Sequence, residues 1–193
     1  MSKMLSVGCN RKLARDIGIL NLTEQATCPG KTPLCTRVCY SKKARMYKAA
    51  VAKRAVNHAL SVLPGFPEAL AAEIQALGCT KVRFHEAGDV YDQAYLDKLV
   101  RVCLLQPQVC FLAYTKSGHL DWSRRPANLK VYWSIDMTSP CIPPPGPTAY
   151  LVAKGEDPPT GAVTCVHTKD RHYCGEECVT CWLGTQDVYF HQH

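Results

Sequence analysis

The chain has 193 residues, 47% of them hydrophobic, with 12 cysteines and a formal charge of +7. That length suits one domain able to bury a core of its own, or one domain with a small appendage. No apolar run nears the roughly 18 residues a membrane span needs, and the opening stretch MSKMLSVGCNRKLARDIGIL lacks the apolar region and cleavage site of a secretory signal. Cytoplasmic sequence is expected, with no membrane partner. Thiols stay reduced there, so the cysteines point to metal rather than to disulfides, an option that a virion or envelope location would reopen.

In chain order, IGIL (17–20) reads as a first strand. Ser41 caps a predicted helix over 41–63, with Ala44, Tyr47, Val51, Ala55 and Val62 on one stripe expected to face the core, and His58 on that stripe as a packed histidine. A second helix follows over 67–78, with Pro67 in its first turn and Gly78 as its stop. KVRFHE (81–86), VCFLAY (109–114), KVYWSI (130–135), AYLVA (149–153) and AVTCV (162–166) read as strands, with a helix over 93–105 between the first two. TSPCIPPPGP (138–147) is too rich in proline for regular structure and is expected as a rigid loop covering a site.

Strands alternating with helices predict an α/β fold, either a partial (β/α) barrel or a largely parallel sheet, followed by an irregular cysteine-rich C-terminal tail. The expected division is an α/β core with its cysteine loop over 1–164 and a metal-binding tail over 165–193.

In parallel α/β folds, ligands collect at the carboxyl ends of the strands. There the chain places HEAGD, with His85, Glu86, Gly88 and Asp89; YTKS, with Lys116; and WSID, with Ser134 and Asp136. A glycine among ionisable groups lets backbone approach a ligand while side chains grip its amine or hydroxyls. The plainer alternative makes Asp89 the cap of the following helix.

Cys28, Cys35 and Cys39 are separated by six and three residues in CPGKTPLCTRVCY. A structural zinc site closes at four ligands, whereas three thiolates leave one iron of a [4Fe-4S] cluster open. Lys31 and Arg37 would favour thiolates there, and Cys9 or Cys141 could each complete the set. The tail offers Cys174, Cys178 and Cys181 as C-x3-C-x2-C, with Cys165 nine positions before Cys174. These four suit a fully ligated four-iron cluster, with zinc as the alternative, or with His167 or His172 replacing one thiol. Cys103 and Cys110, in apolar runs, read as packing residues.

The stretches NRKLARDIGILNLTEQATCPGKTPLCTRVCY, VRFHEAGDVY, AYTKS, RRPANL, CGEECVTCW and VYFHQH resemble the phage gene product 88 family over nearly the whole length. That resemblance implies the cytoplasm of a phage-infected or lysogenic host. More distantly the chain is similar to radical S-adenosylmethionine enzymes, which implies a partial barrel, a cluster on Cys28, Cys35 and Cys39 with Tyr40 as aromatic neighbour, and HEAGD in the place of the glycine-acid motif. Their usual C-x3-C-x2-C spacing occurs here in the tail instead.

The leading expectation is an iron–sulfur enzyme of radical type, with S-adenosylmethionine held by Glu86, Gly88 and Ser134 and an unidentified substrate by His85, Glu86, Asp89, Lys116 and Asp136. One alternative is an iron–sulfur enzyme without that cofactor. Another is a zinc- or cluster-stabilised nucleic-acid-binding module using the basic 31–54 segment, since no acid falls between Glu24 and Glu68.

Overall fold

The computed structural model of the chain describes residues 3–8, 12–140, 142–165 and 173–192. Eight strands form one sheet: β1 (Ser6–Val7), β2 (Ile17–Leu20), β3 (Lys81–Phe84), β4 (Cys110–Thr115), β5 (Leu129–Asp136), β6 (Thr148–Val152), β7 (Val163–Thr164) and β8 (Val188–His191). Their spatial order is β1-β2-β3-β4-β5-β6-β8-β7. Only β1 runs antiparallel to its neighbour; every other pairing is parallel. The fold is therefore α/β with a largely parallel sheet, as expected.

The helices are α1 (Pro33–Val38), α2 (Lys48–Ser61), α3 (Phe66–Ala76), α4 (Gln93–Leu105) and the single turn α5 (Thr180–Leu183). Side chains alternate across a strand, and the alternation builds two cores. Val82, Phe84, Phe111, Ala113, Val131 and Trp133 pack against α3 and α4. Ile17, Ile19, Leu112, Tyr132, Ala149 and Val188 form a second cluster with Leu13, Ala14, Cys181 and Trp182. A sheet covered on both faces explains why its strands read as nearly continuous apolar runs.

Two expectations are corrected. The helix expected over 41–63 is broken: Tyr40–Met46 is a 3-10 turn, and α2 begins at Lys48. Its supposed core stripe faces water, with Tyr47 68% and Val62 59% exposed, while Arg54, Asn57 and Ser61 are buried. The reason is what lies beneath. The Asn57 side-chain amide donates to the carbonyls of Met4 and Asn21, both at 2.9 Å, and Arg54 donates to Glu24 at 3.0 Å. Exposed backbone and a buried acid need polar partners more than that contact needs apolar area. His58 is half-buried, its ring edge-on to Tyr91.

Residues 173–192 are also more regular than expected. They supply α5 and β8, which pairs between β6 and β7, and Cys174 exchanges backbone bonds with Lys12 and Ala14 at 2.9 and 3.0 Å. The proline loop packs on Trp133, whose indole donates to the Pro145 carbonyl. Among the described residues no helix is long and apolar enough to cross a membrane.

Candidate metal centres

The cysteine loop lies across the carboxyl ends of three adjacent strands. After β3, the Asp89 amide donates to the Thr27 carbonyl at 3.0 Å. After β4, Gly30 rests against the Lys116 backbone so closely that a Cβ would collide with the carbonyl. At the end of β5, the Thr32 hydroxyl donates to Asp136 Oδ2 at 2.6 Å. Thr32 is also the N-cap of α1, accepting from the Cys35 amide at 3.0 Å, and Pro33 follows where no donor is needed. One residue thus starts the helix that carries Cys35 and fastens it to the sheet. Beyond α1, Cys39 Sγ lies 3.2 Å from Ser41 Oγ, and the Tyr40 hydroxyl donates to the Glu86 carbonyl.

The three thiols feel one another. Burial pushes Cys28 up to about 12, helped by the Asp89 carboxylate and by Cys35 and Cys39. Burial also raises Cys35, against the opposing pull of Lys116. Crowded, desolvated thiols hold their protons; a metal that neutralises the thiolates removes that cost.

The polar strand ends divide into two groups. Asp89, Lys116 and Asp136 lie under the cysteine loop. Asp89 accepts from the Thr115 hydroxyl and from the amides of Val90 and Lys116 at 2.6, 2.7 and 2.9 Å, while burial holds its carboxyl up to about 6. Lys116 Nζ donates to Asp136 Oδ2 at 2.8 Å and to the Ser134 carbonyl at 3.0 Å. Burial works to raise the Asp136 carboxyl, but Lys116, Thr138 and Thr32 outweigh it and hold it down at about 2. Ser134 is half-buried on the same strand. The cap of α4 is Asp92, which accepts from the Tyr95 amide, and not Asp89.

His85 and Gly88 serve other surroundings. His85 has φ +61°, which turns it toward the helix-covered core after Phe84 instead of across the sheet. There Nε2 is 2.9 Å from the Tyr95 hydroxyl, and burial pushes its pKa down to about 3, so the ring is neutral. Gly88 has φ +86°, and a Cβ would lie 2.6 Å from Thr27 Oγ1 and 2.7 Å from Leu22 Cβ. Its glycine admits the 22–27 loop on the side where a Cβ would lie. Glu86 is half-buried with its carboxylate 3.7 Å from Arg83.

The tail presents a second set on the sheet face opposite α3 and α4. Cys165, Cys174, Cys178 and Cys181 all act on one another electrostatically, and burial pushes Cys181 up to about 12. Cys110, at the start of β4, donates to the Trp182 carbonyl, and Gly184 packs on Lys130 near the start of β5, so the end of α5 lies toward the amino ends of those strands, while Cys165 follows the carboxyl end of β7. Arg83, over the Tyr114 ring at 5.0 Å, is in electrostatic reach of Tyr40 and Glu86 on one side and of Cys174 on the other. Sequence reasoning missed Thr32, Arg83, Tyr114 and Asn21, whose Oδ1 accepts from the amides of Glu86 and Ala87. Thr32 preceding a proline was the one legible signal among them.

Among the described residues no three His, Cys, Asp or Glu side chains close tightly enough to hold a metal ion. Thiolates around one zinc, at about 2.3 Å each, must nearly touch; a four-iron cluster spaces its ligands more widely. Cys28, Cys35, Cys39, Cys174, Cys178 and Cys181 carry free thiols. Two buried donors, Trp182 Nε1 beside Gly175 and Arg83 Nε on β3, are without a hydrogen-bond partner among the described residues. Soft thiols in a three and a four are the ligand type that thiolate-bound metal takes. Cys9, Cys141, His167 and His172, the expected additional ligands, lie outside the described residues.

The basic segment is largely occupied. Arg45 and Arg54 both pair with Glu24, at 2.7 and 3.0 Å, and Lys53 donates to the Leu5 carbonyl.

These features define an α/β protein with a three-thiol loop over the carboxyl ends of a parallel sheet and four more thiols on one face. The gene product 88 family model matches residues 4–182, and the chain belongs to that family. No curated protein and no solved structure matches the chain.

Proposed function

We propose that this is an iron–sulfur enzyme of radical type, with an open [4Fe-4S] cluster on Cys28, Cys35 and Cys39 and a fully ligated one on Cys165, Cys174, Cys178 and Cys181. The observation that carries the reading is the seating of the three-thiol loop over β3, β4 and β5, where parallel α/β folds collect their ligands. Strands β2 to β6 follow one another in sequence order, with α3 and α4 on one face, an order compatible with a singly wound (β/α) arrangement.

A cluster held by Cys28, Cys35 and Cys39 would supply one electron for reductive cleavage of the sulfonium of S-adenosylmethionine. The chain's own residues hold and orient. Lys116 offsets negative charge beside Cys35. Glu86 and Ser134 are half-buried polar groups at the strand ends for the cofactor's amine and carboxylate. Asp89 and Asp136 fix the loop rather than reach for substrate, because their oxygens are engaged by neighbouring donors.

Anaerobic purification with metal analysis tests the first step: a brown protein with iron and sulfide supports it, and a colourless protein with stoichiometric zinc overturns it. Reduction by dithionite with S-adenosylmethionine present should then release 5′-deoxyadenosine and methionine. A fully reconstituted sample that releases neither leaves the iron–sulfur enzyme without that cofactor.

A further inference from the structure

A buried donor lies against the backbone beside one thiol, and a second, on a distant strand, is within electrostatic reach of it. Trp182 is 4% exposed, yet its indole N–H has no acceptor among the described residues, and neither has the Nε–H of Arg83. An unpaired buried donor is costly, so the indole N–H calls for an acceptor. Position supplies the candidate. A Cβ on Gly175, the residue after Cys174, would lie 3.2 Å from Trp182 Nε1. Gly175 has φ +92°, a conformation that leaves glycine free to bring the Cys174 backbone against the indole. Both Trp182 and Arg83 favour the ionised form of Cys174, against burial.

The chemistry of sulfur decides what kind of acceptor is meant. A neutral thiol is a weak acceptor and repays a buried donor poorly. A thiolate is anionic, and its charge-assisted hydrogen bonds are roughly twice as strong as neutral ones. Arg83 is held for that role from the other side: its guanidinium lies over Tyr114 at 5.0 Å and 3.7 Å from Glu86.

We propose that Trp182 and Arg83 are positioning residues for the sulfur of Cys174, the indole donating its N–H to that sulfur as a metal-bound thiolate while the guanidinium offsets its charge. The proposal rests on the reading that the tail cysteines hold a metal centre, and it singles out Cys174 as the ligand that the fold steadies from outside. Groups that hold a metal's ligands in this way matter to affinity and potential nearly as much as the ligands do.

The test uses the full chain under anaerobic conditions. Iron and sulfide are loaded into metal-free protein and withdrawn by a competing chelator, and the tail's iron is the portion that Cys181→Ser removes. Trp182→Phe should weaken that portion by about ten-fold or more, and Arg83→Gln likewise, with Arg83→Lys recovering part of the loss. In iron-loaded protein the same two variants should move the tail cluster's reduction potential to more negative values, because a donor to sulfur stabilises the added electron. Affinity within about two-fold of wild type, with stability lowered equally in metal-free and loaded protein, overturns the proposal and leaves Trp182 a packing residue. If Cys181→Ser and Cys174→Ser leave metal content unchanged, the tail holds no metal; that outcome sinks the underlying reading, and this proposal with it. Should Trp182→Phe fail to fold, Arg83→Gln against Arg83→Lys carries the test alone.

Discussion

The Thr32 hydroxyl donates to Asp136 Oδ2 at 2.6 Å across 104 positions of sequence, and the same oxygen accepts the Cys35 amide at 3.0 Å. A helix start, a strand end and a candidate metal ligand are thereby joined through one side chain. Thr32→Val keeps the shape and removes both bonds. Loss of a cap costs about 1 kcal/mol, and the stranded Asp136 oxygen adds a similar or larger amount. A loss of about 2 kcal/mol or more is expected in urea unfolding, with less iron per chain, and Thr32→Ser should restore both.

Asp136 also makes a pH prediction. Its carboxyl is held at about 2, with burial opposed by Lys116, Thr138 and Thr32, against about 4 in an unfolded chain. A depressed folded value means that the stabilisation is fully present above about pH 4 and is lost as pH falls toward 2. The urea midpoint of Asp136→Asn should lie below wild type at pH 6, and the gap should close on acidification. A gap constant from pH 6 to 2 would show that Asp136 acts through packing alone.

The two faces of α2 can be told apart by substitution. Asn57 is 1% exposed and satisfies two backbone carbonyls. Asn57→Ala should cost about 2 kcal/mol or more. Val51, 41% exposed, should accept lysine within about 0.5 kcal/mol. The reverse ranking in thermal unfolding would mean that the helix is rotated from the orientation described.

Gly88→Ala tests whether the glycine serves the loop contact. At φ +86°, with Thr27 Oγ1 2.6 Å and Leu22 Cβ 2.7 Å from the added methyl, backbone strain alone costs roughly 1–2 kcal/mol. A marked drop in melting temperature is expected. An unchanged melting temperature with weakened cofactor binding would instead restore the glycine to a ligand-facing role.

Individual cysteines should separate by position. Cys35→Ala and Cys178→Ala should each remove part of the iron. Cys103, 0% exposed within the helix-side core, should cost stability as alanine and leave iron content unchanged.

Much of the fold was legible. The strand at 17–20 and the helix over 93–105 have the predicted limits, because apolar runs bounded by turn residues and a capping aspartate are local signals. Helix α2 shows where locality fails. Its period was right and its buried face was wrong, since the surface beneath it is made of backbone carbonyls and Glu24 rather than aliphatic side chains. β8 was missed because VYFH pairs only with strands far away in sequence.

The candidate site divides along the same line. From the residues alone came the two groups of thiols and the polar strand ends, because residue type and spacing are properties of the chain. Tertiary structure decided which of them meet. Asp89, Lys116 and Asp136 gather under the cysteine loop, while the positive φ of His85 sends it into the core. Trp182 comes against the backbone beside Cys174 from a separate helical turn. A backbone angle and a contact between distant segments are set by packing of the whole, and no local pattern of residues records either.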